Sequence, residues 1–164
     1  MNTVLPQNQE ELLEKVSEGI EEEEESTEEK IKEPYDPTQI QVDPQPMTIF
    51  QVMRKIQLKE INMQPDFQRN IVWNEIKQSR LIESILIRIP LPAFYLDALD
   101  DNQWLVVDGL QRLWTLDKFY NNNDLKLTGL EFLDDQIGGK TFNELPRQFQ
   151  RFIEDTHLYL YIIR

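Results

Sequence analysis

The stretch Trp104–Leu113 reads WLVVDGLQRL and joins two sequence patterns at one glycine. The apolar residues 104–107 predict a buried strand, and residues 110–120 predict a helix. Asp108 ends the strand, and Gly109 allows a sharp turn before the helix begins. The sequence therefore predicts a strand, a turn and a helix that together present a carboxylate at the carboxyl end of the strand.

The turn at Gly109 has the chemistry of an anion-binding site. The first backbone N–H groups of a helix have no internal partners, and the helix dipole adds positive charge there, so phosphate binds readily at such a place. Arg112 falls in the first turn, where its guanidinium can donate to two phosphate oxygens. Asp108 would hold a Mg²⁺ that bridges to phosphate, orient a water molecule or fix an arginine. An ordinary solvated turn is the alternative, because Asp-Gly is common in turns.

A second Gln-Arg pair stands in the segment Pro65–Arg69, which reads PDFQR. Phe67 can anchor this loop in the core. Arg69 is then the natural second cation for the same phosphate, if the loop lies beside Gly109. The sequence leaves that adjacency open.

These two segments, joined by a predicted helix and a proline stop, resemble the N-terminal domain of GmrSD-type restriction endonucleases over residues 48–164. That family is related to the ParB and sulfiredoxin-like fold. Its members share a Pro-x-Phe-Gln-Arg segment and an Asp-Gly-Gln-Gln-Arg segment. The second segment has been linked to nucleotide binding and hydrolysis, in bacterial defence against phage and other foreign DNA.

The resemblance implies a role for each matching residue. Nucleotide or phosphate binding falls on Gln68, Arg69, Gly109, Gln111 and Arg112. Catalysis falls on Asp108 and Arg112, and Asp108 would also hold Mg²⁺. The implied cofactors are Mg²⁺ and a nucleoside triphosphate. The implied fold is α+β, a ParB/sulfiredoxin-like small mixed sheet with packed helices.

The chain departs from the family at two points. Leu110 replaces the first glutamine of the second motif, a mild change if the side chain faces the core and a serious one if it lines the nucleotide pocket. His157 is the only histidine. A His–Asn–His nuclease of the kind that many relatives carry would therefore belong to a domain or subunit outside this chain.

The patterning outside the motifs predicts the rest of an α+β domain. Thr48 and Asn74 have the character of helix N-caps. Residues 93–98 and 103–107 predict a hairpin, and residues 158–164 predict a final strand. Because the chain stops inside that strand, we expect the natural domain to continue beyond it.

Charge divides the chain into two expected parts. Residues 1–46 carry 14 acidic and 3 basic side chains, whereas residues 47–164 carry 16 and 14. The first part contains five consecutive glutamates at 21–25 and a proline-containing stretch at 34–46, and it predicts a disordered acidic tail. The second part predicts a globular segment, which the resemblance assigns to the GmrSD-like domain, and we expect that domain to be truncated at its C-terminal end.

Composition excludes several classes of site. The chain has no cysteine, which excludes disulfides, thiol nucleophiles and iron–sulfur ligation, and we expect neither zinc nor haem. The N-terminus lacks a basic start followed by an apolar run, and no apolar run approaches the ~20 residues that cross a bilayer. We therefore expect a cytoplasmic protein without membrane contact, whose oligomeric state the sequence leaves open.

The leading functional hypothesis is a nucleotide-binding and NTP-hydrolysing module that regulates DNA cleavage by a nuclease elsewhere. One alternative is a non-catalytic ParB-like DNA-binding or regulatory module, in which the arginines contact DNA phosphates. Another is a degenerate fragment. Trp73 and Trp104 are expected to pack against apolar neighbours, and Glu83 is a candidate to orient an arginine of the site.

Overall fold

The computed structural model describes residues 37–63 and 73–164. The chain divides into two units, Met1–Gln39 and Ile40–Arg164. Within the first unit the structure describes a 3₁₀ turn at Pro37–Gln39. The predicted tail therefore lies mostly outside the described residues.

The described part of the second unit contains five strands and five helices. In chain order they are β1 (Val42–Thr48), α1 (Ile49–Gln57), β2 (Ile61–Asn62), α2 (Glu75–Leu86), β3 (Phe94–Asp97), β4 (Trp104–Asp108), α3 (Leu110–Leu116), α4 (Asp134–Ile137), α5 (Arg147–Asp155) and β5 (His157–Ile163). A π-helical turn, Asp117–Asn121, continues α3, and a 3₁₀ turn, Phe142–Glu144, precedes α5.

The strands form one mixed sheet in the order β1-β5-β3-β4-β2. β1 and β5 are antiparallel, as are β3 and β4, whereas β3 is parallel to β5 and β2 is parallel to β4. β3 and β4 make the predicted hairpin. The prediction of an α+β fold with a small mixed sheet and packed helices is confirmed.

The core lies where one face of the sheet meets the helices. Along β5 the side chains alternate, so that Leu158, Leu160 and Ile162 are buried while Tyr159 is 60 % exposed. Helical residues such as Ile82 join the same buried cluster. The sheet and the helices thus share one apolar interior, as a two-layer domain requires.

Both predicted helix caps are present. The Thr48 hydroxyl accepts from the Gln51 backbone N–H at 3.2 Å, and the Gln51 side-chain oxygen accepts from the Thr48 backbone N–H at 2.9 Å. Asn74 accepts from the Lys77 backbone N–H at 2.9 Å and starts α2. Each cap supplies acceptors to amides that have no partner inside the helix.

The predicted tail boundary after residue 46 falls inside β1 and needs correction. Gln41 and Arg164 exchange two backbone hydrogen bonds of 2.9 Å, and antiparallel pairs alternate between bonded and non-bonded positions. Pro44 and Pro46 therefore occupy non-bonded positions, opposite Tyr161 and Tyr159. Their missing N–H groups cost the strand nothing, because β1 lies at the sheet edge and these positions face away from β5.

Candidate functional site

Gly109 joins β4 to α3 in a conformation that requires glycine. Its φ is 98° and its ψ is 13°, a combination that side chains strongly disfavour. A Cβ at this position would also lie 2.5 Å from Cδ1 of Phe94. The turn can therefore be this tight only because the residue has no side chain.

The N-terminus of α3 opens onto a small cavity. Gly109 is the N-cap residue and, having no side chain, it offers the first amides of the helix no cap of its own. The cavity has a volume of about 170 Å³ and is lined by Trp73 and by residues 108–112. The predicted motif thus forms most of the wall of one concave surface.

Arg112 is held largely by backbone oxygens. Its guanidinium donates to the carbonyl of Pro92 and, at 3.2 Å, to that of Ala93. It also lies 4.3 Å from the ring centre of Phe94. Burial lowers the pKa of Arg112 while Asp108 opposes that shift, and the group stays cationic at neutral pH. These two bonds use one N–H of each terminal nitrogen, and each of those nitrogens carries a second N–H.

Asp108 is the exposed carboxylate of the cavity. Its side chain is 66 % exposed, and Oδ2 lies 3.6 Å from Nη2 of Arg112, whose side chain is 12 % exposed. The carboxylate therefore helps to hold the arginine and still faces solvent. Of the three roles expected for Asp108, contact with an arginine is the one that the geometry contains.

The donor set fits Mg²⁺ only as a partner of phosphate. No group of three or more acidic, histidine or cysteine side chains that could hold a metal occurs within residues 37–63 and 73–164. Mg²⁺ commonly binds through one or two carboxylates, with substrate phosphates and water completing the shell. Asp108 offers one such carboxylate at the cavity.

Gln111 connects the motif to the segment before α2. Its side-chain oxygen accepts from the Trp73 backbone N–H at 3.3 Å, and its Nε2 is buried without a partner in the part of the chain that the structure describes. A buried donor without an acceptor is costly.

Leu110 faces the core and also lines the cavity, so both alternatives that the sequence leaves open apply to it. Its side chain is 5 % exposed, as a core-facing leucine is, and it also forms part of the cavity wall. Leucine at this position preserves apolar packing. It removes one amide donor and acceptor from the wall.

Gln68 and Arg69 lie outside the described residues, so their approach to Gly109 stays a prediction. The described chain resumes at Trp73, four residues after Arg69. The Trp73 backbone N–H is hydrogen-bonded to the side chain of Gln111 in the cavity wall. The chain therefore reaches the cavity shortly after the second Gln-Arg pair.

Glu83 does not orient Arg112, the cavity arginine that the structure describes, so the expectation is wrong for that residue. Its buried carboxylate accepts from the backbone N–H groups of Glu131, Phe132 and Leu133 at 2.9–3.0 Å. Burial raises the pKa of Glu83, but these three N–H groups and Arg80 outweigh it, so the pKa is below its usual value. Glu83 fixes a loop, and only its place on the apolar face of a predicted helix hinted at this.

The comparison with protein families is decisive for the identity of the domain. Residues 49–163 match the family model described as the GmrSD restriction endonuclease, N-terminal domain. The chain belongs to this family. The GmrSD N-terminal match runs from α1 to β5 and includes the whole cavity wall, so the cavity belongs to a module of a restriction system.

Other comparisons add no relative. No curated protein and no solved structure matches the chain. Among the described residues of this GmrSD N-terminal domain, no helix has the length and apolar character needed to cross a bilayer.

Proposed function

We propose that this GmrSD N-terminal domain binds a nucleoside triphosphate at the Gly109 turn and hydrolyses it, and so regulates DNA cleavage. The observation that carries the proposal is the cavity at the start of α3, where the N-cap residue is a glycine and the wall is formed by residues 108–112 and Trp73. Backbone N–H groups at such a place bind phosphate without any charged side chain.

Arg112 would support phosphate mainly through its charge. Its Nη2 lies 3.2 Å from the point where a Cβ of residue 109 would stand, which places the cation directly beside the turn. Held by the Pro92 and Ala93 carbonyls, it would need no reorganisation when an anion arrives. Gln68 and Arg69 are proposed as further phosphate-binding residues.

Asp108 is the proposed catalytic carboxylate. Exposed beside the cavity, it would orient a water molecule whose oxygen attacks the terminal phosphorus, which yields a nucleoside diphosphate and inorganic phosphate. It would also hold Mg²⁺, which neutralises charge on the phosphates when bound. Arg112, 3.6 Å away, keeps this carboxylate in place.

The proposed output is control of a DNA-acting nuclease. The family description names a restriction endonuclease, and the chain has a single histidine. We therefore propose that a nuclease domain or subunit outside this chain cuts DNA. The nucleotide bound to this domain would determine whether the nuclease cuts. The proposal places the protein in the cytoplasm, with DNA as a further partner.

The test compares nucleotide binding and phosphate release in the wild type and in Asp108→Ala. ATP, GTP and CTP are titrated calorimetrically with and without Mg²⁺, and inorganic phosphate is measured over time. We expect Asp108→Ala to lower the rate of phosphate release by about 100-fold or more. Asp135→Ala, an exposed acid on α4, is the matched control and should leave the rate unchanged. Equal rates in wild type and Asp108→Ala, or no nucleotide binding by the wild type, would remove the proposal.

The contact between Asp108 and Arg112 also favours a second candidate function. In a non-catalytic module Asp108 would only hold Arg112 in position, and the arginines would contact DNA phosphates. That function predicts DNA affinity that falls steeply with salt and no release of phosphate from any nucleotide. The same assay, run with a DNA duplex at two salt concentrations, separates the two.

A further inference from the structure

Trp73 stands in the wall of the cavity at Gly109, although its apolar neighbours in the sequence predict packing. Its backbone N–H donates to the side-chain oxygen of Gln111 at 3.3 Å. The cavity is lined by Trp73 together with residues 108–112. A hydrogen bond to a motif residue therefore holds the backbone of Trp73 beside the proposed phosphate site.

The surroundings of Trp73 suit a flat, polar ring. Nζ of Lys77 lies 4.5 Å from the indole ring centre, so a cation stands at the ring. The buried Leu110 adds an apolar surface to the same wall. Close by, Nε2 of Gln111 is a buried donor without a partner among residues 37–63 and 73–164.

These features differ from what phosphate needs. The first amides of α3 can bind phosphate, but an indole ring and a leucine cannot. A nucleobase offers an aromatic face for the indole, and it offers ring nitrogens or carbonyl oxygens that accept a hydrogen bond from an amide donor. The wall thus has one part suited to phosphate and another suited to a base.

We propose that the Trp73 ring stacks on the base of the nucleotide whose phosphates bind at the Gly109 turn. The inference rests on the proposed function and extends it to base recognition. Lys77, whose Nζ lies 4.5 Å from the ring centre, keeps a cation against the stacked ring. Because every base has an aromatic face, this contact supplies affinity with modest selectivity among bases.

The experiment separates base binding from phosphate binding. ATP, GTP, CTP and inorganic tripolyphosphate are each titrated calorimetrically into the full chain with Mg²⁺. In Trp73→Ala we expect nucleotide affinity to fall about 10–100-fold, the range of one base–aromatic stack. Tripolyphosphate affinity should stay unchanged, and Trp73→Phe should keep most of the nucleotide affinity. Phe132→Ala, which removes a 68 % exposed aromatic side chain elsewhere, is the control and should change neither.

Tryptophan fluorescence gives a second readout that does not depend on the alanine variant folding. The chain has three tryptophans, and nucleotide should quench the emission of the wild type and of Trp114→Phe but not that of Trp73→Phe.

The possible outcomes are distinct. Equal nucleotide affinity in wild type and Trp73→Ala would overturn the stacking contact and leave the proposed function standing. An equal loss of nucleotide and tripolyphosphate affinity would overturn it too, because the ring would then only support the cavity. A wild type that binds neither nucleotide nor tripolyphosphate would overturn the proposed function and the inference together.

Discussion

Gly109 is the residue on which the shape of the cavity depends most directly. Alanine there would adopt a φ near 98° and place its Cβ 2.5 Å from Cδ1 of Phe94. The conformation and the overlap are both costly, so we expect Gly109→Ala to lower the free energy of unfolding by about 2–4 kcal/mol. Denaturant unfolding followed by circular dichroism measures this.

Gly139 is a matched control for that substitution. Its φ is 76°, and a Cβ there would meet no atom within 4 Å. Gly139→Ala therefore isolates the conformational cost, which we expect to be about 1–2 kcal/mol. Equal losses of unfolding free energy in the two variants would mean that the overlap with Phe94 adds nothing to the cost of Gly109→Ala.

At the scale of elements, Glu83 attaches α2 to the loop before α4. Its carboxylate accepts three backbone N–H groups, and Glu83→Gln replaces two charged oxygens by one neutral acceptor and a donor. We expect a loss of about 1.5–3 kcal/mol of unfolding free energy at pH 7. Amide hydrogen exchange should also quicken at Phe132 and Leu133.

The pH dependence of this contribution has a definite sign. The pKa of Glu83 is lowered in the folded protein, so its stabilisation is complete above the unfolded pKa of about 4.3 and is lost as pH falls through the folded value. The difference in unfolding free energy between wild type and Glu83→Gln should therefore shrink below about pH 4. Glu131→Gln, which changes a half-exposed carboxylate 3.5 Å from Arg80, should cost no more than about 1 kcal/mol. A difference that stays constant down to pH 3 would contradict the role of the Glu83 charge.

At the scale of the whole molecule, the sequence predicts those structural features that depend on residues close together along the chain. The caps at Thr48 and Asn74 need only residues three positions apart, and the strand–turn–helix at 104–120 has its own periodicity and glycine. All three are present in the structure. These features could be predicted because their energies depend on neighbours along the chain.

Contacts between distant segments could not be predicted in the same way. The hydrogen bonds of Arg112 go to the carbonyls of Pro92 and Ala93, about twenty positions earlier, whereas phosphate binding by Arg112 stays a prediction. The acceptor role of Glu83 depends on a loop nearly fifty residues away. No periodicity in the sequence encodes such pairs. The approach of Arg69 to Gly109 is of the same kind and stays a prediction.

The edge strand β1 leads to a prediction about association of whole molecules. Pro44 and Pro46 face the outer edge of the described sheet and give it no N–H donors, which discourages pairing with another strand.

Replacing both by threonine would add two outward donors next to outward carbonyls on an exposed strand. We expect Pro44→Thr/Pro46→Thr to form larger species than the wild type as concentration rises, measured by size-exclusion chromatography with light scattering. Val42→Thr, on the same strand and face, adds the same hydroxyl but no backbone N–H, because Val42 already has one, and it should behave as the wild type. A double variant with the wild-type mass at every concentration would mean that the free edge needs no prolines to stay unpaired.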